Sequence, residues 1–550
     1  MPKGKQAVAL VNDQAVKAKV LLSSGIVKPY GPRKLVQLLK TVRTWGVGPA
    51  GGFATLAVRD PDGIGVIDEL GELTWKQVME RATALADSLR EMGVDSSQGV
   101  AVMARNHRFF IDALVATGLL GGDILFLNTA FSSPQLVEVM DREGPKVLIY
   151  DEEFSELVAD VDESIKRVVA WVEDDADNKD PEADVPTIET LIEKGSATAS
   201  FEPPERDTKI IILTSGTTGT PKGAPRNDAG VDAAVSMLSR IPLKRGWTCH
   251  IAAPLFHTWG FAHLALAMLL ESKIVLRRRF KPEDCLEAMK QHDVDSLVVI
   301  PVMMQRILKL DQDVLDKYDF PNLKVVAASG SALTGDLATK WMDTFGDNIY
   351  NTYGSTEVAY ATIATPEDLR EAPGTAGKPP HATEVRIYDE NGKEVPPGET
   401  GRIFVGNGIL FEGYTGGEET KDMIDGLMSS GDVGRFDEEG RLFVEGRDDD
   451  MIVSGGENVF PQEVEDCLAK HDAVHEAACV GVDDEEYGQR LRAFVVLEDG
   501  KDVSEDDLKQ HVKTNLAGYK VPRDIEFLDE LPRNATGKIL KKDLAAHGSQ

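Results

Sequence analysis

A run rich in hydroxyl groups and glycines follows a short apolar stretch near the middle of the chain. The apolar residues Ile210–Leu213 predict a buried strand. The residues after it offer hydroxyls, glycines and one cation, at Thr214, Ser215, Gly216, Thr217, Thr218, Gly219 and Lys222. Glycine lets the backbone approach a ligand closely, and exposed N–H groups, hydroxyls and an ammonium together suit a polyphosphate. The pattern predicts a polyphosphate-binding loop, with a flexible surface loop as the alternative.

This loop does not have the spacing of a Walker A motif. That motif requires a glycine, four residues, and then Gly-Lys followed by Ser or Thr. Here Pro221 precedes Lys222, and Gly223 follows it. Phosphate binding is therefore expected without the fold that usually accompanies a Walker A motif.

Further apolar stretches downstream also end in loops. Strands are expected over residues 296–300, 323–328 and 348–350, and the last two lead into the sequences SGSA and NTYGSTE. In open parallel sheets, ligands bind beyond the carboxyl ends of the strands. These loops and the phosphate loop are therefore expected to converge on one crevice.

The elements around these motifs follow two patterns. Alternating strand and helix signals between residues 72 and 150 predict parallel α/β layers. Residues 374–443 are rich in strand and turn signals, and the remaining part of the chain reads as a small α+β domain. A helix over residues 504–516 is expected to begin with a capping box formed by Ser504 and Asp507.

Taken in order, the motifs resemble those of the adenylate-forming superfamily, which includes acyl- and aryl-CoA synthetases, peptide-synthetase adenylation domains and firefly-type luciferases. The similarity covers residues 73–540. It implies an α/β fold: a large N-terminal domain of layered αβ subdomains and a small barrel-like β subdomain, then a small mobile α+β domain. The expected ranges are a basic amphipathic segment at residues 1–50, the large domain at 51–447 and the mobile domain at 448–550, with a hinge near Asp449.

The resemblance also implies a role for each matched residue. Lys538 would be the catalytic lysine, His257 would gate the carboxyl end of the acid, and Trp259 and Gly260 would approach its chain. Besides the phosphate loop, the implied nucleotide site contains Gly330, Ser331, Ala332, Tyr353, Gly354, Thr356, Asp432 and Arg447. Glu357 would hold Mg²⁺, and Gly455 and Gly456 would line the channel for the pantetheine arm of coenzyme A.

The implied reaction uses ATP, Mg²⁺ and coenzyme A in two steps. A carboxylate attacks the α-phosphorus of ATP, and the coenzyme A thiol then displaces AMP from the acyl-adenylate. The apolar run at residues 261–270 and the basic start of the chain favour a medium- or long-chain fatty acid. An aryl or other acid stays open as the substrate, as does a fatty acyl-AMP ligase that loads a carrier protein. A non-catalytic nucleotide or acyl-ligand sensor is the non-enzyme alternative.

Each of these residues also has an ordinary structural explanation. A single histidine such as His257 is usually structural, and a lysine near the chain end such as Lys538 is usually a solvated charge. The YGSTE sequence could be a surface turn, and the Gly-Asp pair at Asp432 could be a structural turn. The functional interpretation depends on the occurrence of all the motifs in one chain.

Composition narrows the class of protein. The formal net charge of −32 argues against general nucleic-acid binding. The four cysteines are scattered without a CxxC pair, which fits a reducing cytosol and argues against a zinc site. The sequence also lacks an apolar run of about 18 residues and a secretory signal, so a cytoplasmic enzyme is expected.

The first fifty residues depart from this acidic character. Their only acidic residue is Asp13, whereas lysines and arginines are frequent, and the apolar residues Leu35, Leu38, Leu39 and Val42 recur at helical spacing. Such a basic amphipathic segment can lie on an anionic membrane. The alternative is a helix that packs on the main body with its basic face in solvent. The sequence also leaves open whether two copies of the chain form a homodimer.

Overall fold

The structure is a computed structural model, and its described residues cover both expected domains with gaps. They are 3–173, 185–204, 206, 208–213, 223–226, 230–355, 358–410, 422–448, 452–454, 457–459, 461–484, 488–516, 520–534 and 537–547. Several predicted site residues lie outside these ranges: the phosphate loop from Thr214 to Lys222, Thr356, Glu357, Asp449, Gly455 and Gly456.

Helices and strands alternate over most of the chain. The helices are α1 (Lys3–Ser23), α2 (Pro32–Trp45), α3 (Pro49–Arg59), α4 (Trp75–Glu91), α5 (Arg108–Leu119), α6 (Ser133–Glu143), α7 (Ile188–Lys194), α8 (Gly230–Leu238), α9 (Thr258–Leu269), α10 (Pro282–Gln291), α11 (Pro301–Leu308), α12 (Gln312–Leu315), α13 (Gly335–Phe345), α14 (Pro366–Glu371), α15 (Pro461–Leu468), α16 (Glu505–Asn515) and α17 (Lys541–Ala546).

The strands of the first two sheets are β1 (Ile64–Asp68), β2 (Gly71–Thr74), β3 (Val100–Met103), β4 (Ile124–Phe126), β5 (Val147–Tyr150), β6 (Lys166–Val169), β7 (Ile210–Leu213), β8 (Gly223–Arg226), β9 (Thr248–Ile251), β10 (Lys273–Val275), β11 (Ser296–Val299), β12 (Val325–Ala328), β13 (Ile349–Tyr353) and β14 (Thr362–Ala364). They are followed by β15 (Glu384–Tyr388), β16 (Gly401–Gly406), β17 (Met423–Ile424), β18 (Leu427–Phe436), β19 (Leu442–Arg447), β20 (Ile452–Ser454), β21 (Glu457–Val459), β22 (Val474–Asp484), β23 (Gly488–Leu497) and β24 (Asp524–Phe527).

Two mostly parallel sheets form the larger part of the molecule. One has the order β14-β13-β12-β11-β9-β10-β1-β2, and the other has the order β6-β5-β3-β4-β7-β8. Strands β3, β9, β11 and β12 are buried along their whole length, which is typical of parallel strands covered by helices on both faces. The α/β layers predicted from the sequence are confirmed.

A five-stranded antiparallel sheet of β15 to β19 follows the two parallel sheets. Asp432 lies inside the ten-residue strand β18 and pairs with Arg447 of β19. The alternative of a Gly-Asp turn at this position is therefore wrong. Pairing of β18 with β16 on one side and β19 on the other outweighs the local turn tendency of glycine and aspartate.

The last part of the chain forms a further sheet of β20 to β24 with its own apolar core. Helix α16 begins after Ser504, whose hydroxyl oxygen accepts the N–H of Asp507 at 3.2 Å. The second half of the expected capping box is different, because the Asp507 carboxylate accepts the Ser504 hydroxyl and not its backbone N–H. The predicted capping box is thus confirmed only for the bond from the Asp507 N–H to the Ser504 hydroxyl.

Helix length and hydropathy also bear on membranes. Within the ranges given above, none of the helices has the combination of length and apolar character needed to cross a bilayer.

Candidate active site

Four neighbouring parallel strands end at one crevice. In the order β13, β12, β11 and β9 they pair in parallel, so their carboxyl ends lie at the same edge of the sheet. The residues that follow them line one cavity of about 2960 Å³. Typical small-molecule sites measure roughly 300–1,000 Å³, so this cavity has room for more than one ligand. The predicted convergence of loops is confirmed for those that the structure describes.

Strand β7, which precedes the predicted phosphate loop, belongs to the other parallel sheet. Its residues Ile212 and Leu213 nevertheless line the same cavity. The crevice therefore lies between the two sheets, and the end of β7 is part of its wall.

The cavity brings together the predicted site residues that the structure describes. Its wall includes His257, Trp259, Gly260, Gly330, Ser331, Ala332, Tyr353, Gly354, Asp432, Arg447 and Lys538. These residues lie at or after the ends of strands of the eight-stranded sheet, lie in the antiparallel sheet or belong to the C-terminal part of the chain. Their roles stay predictions, but their proximity makes a shared ligand feasible.

Tyr353 and Asp432 form the centre of the polar wall. The Tyr353 hydroxyl donates to Asp432 Oδ2 at 2.5 Å and lies 3.1 Å from Ser430 Oγ. Arg447 Nε lies 3.8 Å from Asp432 Oδ1. Burial, followed by the charge of Asp432, raises the pKa of Tyr353 well above its usual value. Tyr353 therefore stays a neutral donor that fixes the orientation of the carboxylate.

The loop after β12 is fixed to the neighbouring strand. The Ser329 hydroxyl donates to the Thr352 carbonyl at 2.7 Å. Gly330 has φ +96°, a conformation that side chains rarely adopt. A Cβ on Gly354 would lie 2.2 Å from the Ala359 carbonyl oxygen. Both glycines allow backbone to line the cavity wall beside Tyr353.

His257 stands immediately before helix α9 at the apolar end of the site. It is partly exposed, but its Nε2 is shielded from solvent and has no hydrogen-bond partner among the described residues. Burial lowers the pKa of His257 to about 4, so the ring is neutral near pH 7. A neutral imidazole nitrogen at a cavity wall can accept or donate one hydrogen bond to a bound acid.

Trp259 and Gly260 hold helix α9 against the sheet. The Trp259 indole N–H donates to the Val299 carbonyl at 3.1 Å. A Cβ on Gly260 would lie 2.2 Å from the Pro254 carbonyl oxygen. The glycine is thus required for packing against the backbone, whatever contact it makes with a substrate.

Asn106 supports the wall of the site from behind, and the sequence did not reveal it. It is buried, and its side-chain amide donates to the carbonyls of Ile251 and Ala253 at 3.1 and 2.8 Å. Its oxygen accepts the Leu255 N–H at 2.9 Å. These three bonds fix the segment that leads from β9 to His257. The available signal was a polar residue three positions after the end of the apolar strand β3, and the same strand-end rule predicted the other loops.

With the acid and ATP sites that the resemblance implies, we expect Asn106→Ala to weaken acid binding more than ATP binding. The substitution leaves two buried carbonyls and one N–H without their partner, so the unfolding free energy should fall by about 3 kcal/mol. The displaced His257 segment should raise KM for the acid about tenfold, a change of about 1.4 kcal/mol, with KM for ATP little changed. Denaturation curves and steady-state kinetics measure both. Asn322→Ala, which removes an exposed Asn322–Asp293 contact, is the control, and equal rises in both KM values would contradict a local role.

Lys538 lies in a hairpin of the C-terminal part of the chain. Arg533 and Ile539 pair across it, and the Lys538 N–H donates to Asn534 Oδ1 at 2.9 Å. Gly537 has φ +78°, and a Cβ there would lie 2.5 Å from Cγ1 of Val302 in α11. The hairpin therefore packs directly against the large domain, with Lys538 at the cavity wall.

Taken together, the wall offers an aromatic ring, a carboxylate with a nearby guanidinium, a neutral imidazole and an ammonium. An aromatic face suits a base, and a carboxylate suits vicinal hydroxyls. An ammonium suits the place where two negative charges meet. As for a metal, the described residues contain no group of three possible ligands, and the predicted Mg²⁺ ligand Glu357 lies outside them.

Two family profiles match the chain. The profile of the AMP-binding enzyme family matches residues 53–415, and that of the AMP-binding enzyme C-terminal domain matches residues 463–538. A feruloyl-CoA synthase from Amycolatopsis sp. is 33% identical over 478 residues, which are 86% of this chain and 93% of the relative. A 2-succinylbenzoate–CoA ligase from Bacillus licheniformis is 33% identical over 496 residues, 88% of this chain and 97% of the relative.

Solved structures with the same fold carry acyl-adenylates. The anthranilate CoA ligase AuaEII in complex with anthranoyl-AMP aligns with TM-score 0.81 and 25% identity over 91% of this chain and 96% of its own. The o-succinylbenzoate CoA synthetase from Bacillus subtilis with its acyl-adenylate intermediate aligns with TM-score 0.78 and 27% identity over 90% and 97%. Both matches extend over the large N-terminal and the smaller C-terminal domain.

Proposed function

The chain belongs to the family of AMP-binding enzymes, and from this premise we propose that it joins an apolar carboxylic acid to coenzyme A through an acyl-adenylate. As an AMP-forming acid–thiol ligase it uses ATP and coenzyme A. The observation that carries the proposal is the convergence of Tyr353, Asp432, Arg447 and Lys538 on one cavity.

In the proposed first step, the nucleotide lies along the polar wall of the cavity. The ring of Tyr353 and the loop from Gly330 to Ala332 enclose the base, and Asp432 and Arg447 bind the ribose. The acid carboxylate attacks the α-phosphorus in line, and pyrophosphate leaves. Catalysis of such a transfer is mainly positioning and charge neutralisation. Lys538 would supply the cation between carboxylate and α-phosphate, and the phosphate loop would hold the pyrophosphate.

Mg²⁺ would neutralise phosphate charge when bound, and Glu357 is its proposed ligand, next to Thr356 of the nucleotide site. Neither residue is among those that the structure describes. The fit of the metal is therefore carried by the sequence motif alone.

In the proposed second step, the C-terminal domain rotates about Asp449. Lys538 leaves, and Gly455 and Gly456 admit the pantetheine thiol to the acyl carbon. Asp448, the residue before the hinge, is held to the large domain: its N–H donates to the Gly431 carbonyl at 3.0 Å, and its carboxylate accepts from Arg402 at 2.6 Å. This anchoring supports a rotation point directly after it.

We propose an aryl acid as the first substrate class to test. The relatives reported above are named for ferulate, 2-succinylbenzoate and anthranilate. On the acid side the cavity wall is formed largely by apolar residues of α8 and α9, including Ala234, Met237 and Phe261. Such a wall suits a hydrophobic group and gives no reason to expect a charged tail.

A medium- or long-chain fatty acid is the second candidate, and one observation favours it. The cavity extends past Leu266 and Met268 of α9 to Pro49 and Phe53 of α3. A planar aryl group would leave this apolar extension empty, whereas an alkyl chain would fill it. We propose a cytoplasmic location for the enzyme with either substrate class, because its four cysteines are free.

The experiment is a panel of acids assayed for pyrophosphate release, AMP formation and coenzyme A consumption. Ferulate, coumarate, benzoate, octanoate, dodecanoate and palmitate are compared at equal concentration. The proposal expects pyrophosphate and acyl-CoA to appear with at least one acid, and the preferred acid decides between the two classes. Pyrophosphate release without acyl-CoA would instead indicate a ligase for a carrier protein. Release of neither product would leave only a ligand-binding protein and contradict the proposal.

A further inference from the structure

Helix α2 presents an apolar stripe to solvent. Its buried side is Leu38, and the Lys34 ammonium donates to the Arg59 carbonyl, so this side packs on the main body. The face next to Leu38 exposes Leu35 by 47%, Val36 by 65%, Leu39 by 62% and Val42 by 38%. We refer to these four residues as the α2 stripe. Contiguous exposed apolar surface of this kind commonly marks an interaction site.

Cations border the α2 stripe. Arg33, Lys40 and Arg43 are exposed, and no ion pair involves them in the part of the chain that the structure describes. Residues 14–59 contain no aspartate or glutamate, although the whole chain has a net charge of −32. The segment is therefore positive on a molecule that is strongly negative as a whole. An anionic surface would repel the rest of the molecule and attract this face.

We propose that the α2 stripe docks on the surface of an anionic phospholipid bilayer. An aliphatic stripe with cations along its edge matches the apolar depth and charged headgroups of such a surface. A binding site for an acidic protein would more often combine the cations with aromatic anchors and a pocket. A second copy of the chain would bring the same cations against one another.

Docking in this orientation also gives the cavity a source of substrate. The linker directly after α2 contributes Val47 and Gly48 to the cavity wall, next to Pro49 and Phe53 of α3. These residues form the apolar extension of the same cavity that His257 lines. An apolar acid dissolved in the bilayer would therefore reach the site at its apolar end. This consequence depends on the proposed function, whereas the docking itself does not.

Vesicle flotation tests the docking. Full-length protein is mixed with phosphatidylcholine vesicles with or without phosphatidylglycerol, at low and high salt. We expect flotation with the anionic vesicles at low salt, weaker flotation at high salt, and none with neutral vesicles. Leu39→Glu and Lys40→Glu should each lower partitioning by about tenfold or more. Leu70→Glu, at a leucine of the β1–β2 turn that is 52% exposed, is the matched control and should float as the unaltered protein does.

Each other outcome overturns the proposal. If the wild-type protein failed to float, or if Leu39→Glu floated equally well, docking of the α2 stripe on a membrane would be contradicted. Binding to polyglutamate without binding to vesicles would assign the face to an acidic protein. A dimer that Leu39→Glu dissociates, again without vesicle binding, would assign it to a second copy of the chain. Pyrophosphate release is assayed in parallel for every variant, so loss of flotation with activity retained is distinguished from failure of the proposed enzyme function.

Discussion

Lys538→Ala should remove most of the first half-reaction and leave the second almost intact. When the hairpin of Lys538 packs against the large domain, which we call the docked arrangement, Lys538 lines the cavity that also contains Tyr353, Asp432 and Arg447. Loss of one preorganised cation at the point where charge develops typically costs about 100- to 1,000-fold in rate. The second half-reaction needs only a thiol, a good leaving group and an open channel. Acyl-CoA formation from a supplied acyl-adenylate should therefore stay within about twofold, which is less than 0.5 kcal/mol.

The measurement separates the two steps. Pyrophosphate release reports the first, and conversion of synthetic acyl-adenylate to acyl-CoA reports the second. Lys513→Ala, at an exposed lysine of the same domain, controls for a general loss of positive charge and should leave both steps unchanged. If Lys538→Ala slowed both steps to the same degree, the lysine would stabilise the protein or the domain interface and would not act in adenylation alone.

Local signals were sufficient to predict the strands and loops of the crevice. Short runs of three to six mostly apolar residues, followed by small or polar residues, predicted β11, β12 and β13 and placed their ends together. The rule works because the carboxyl ends of parallel strands must share one edge. The rule uses only the residues of each strand and the loop after it, so it can be applied without knowing which strands pair.

Contacts between distant parts of the chain could not be predicted in the same way. Asn106 bonds to backbone groups 145 to 149 positions away, and nothing near it in the sequence announces those partners. Strand β18 shows the same limitation, since only its neighbours β16 and β19 make a strand of a segment that contains Gly431 and Asp432. Long-range pairing decides such positions, and local propensity does not.

The contact between Gly537 and Val302 is another long-range feature. A substitution there should disturb only the conformation in which the hairpin packs against the large domain. Gly537 lies beside the proposed catalytic lysine, and Val302 is in the second residue position of α11. A β-branched valine cannot easily rotate away from a new methyl group. A Cβ at residue 537 would therefore oppose the docked arrangement by contact with Val302, in addition to the strain of its positive φ.

We expect Gly537→Ala to slow pyrophosphate release by about 10- to 100-fold, equivalent to about 1.4–2.7 kcal/mol. Conversion of supplied acyl-adenylate should be unchanged, because that step is proposed to occur after the hairpin has left Val302. Gly500→Ala is the matched control: Gly500 has φ +72° in the same domain, and a Cβ there would meet no atom within 4 Å. It should show the conformational strain as a small loss of stability without a loss of adenylation.

A second substitution tests the cause of the effect. Val302→Ala removes Cγ1, the atom that a Cβ at residue 537 would approach to 2.5 Å. The double variant Gly537→Ala with Val302→Ala should therefore recover adenylation toward the rate of Val302→Ala alone. Residues in direct contact show such non-additive effects, whereas independent sites add. Strictly additive losses in this cycle would mean that the positive φ of Gly537, and not its contact with α11, limits the first half-reaction. Recovery would show that adenylation requires the hairpin to pack against the large domain as it does here.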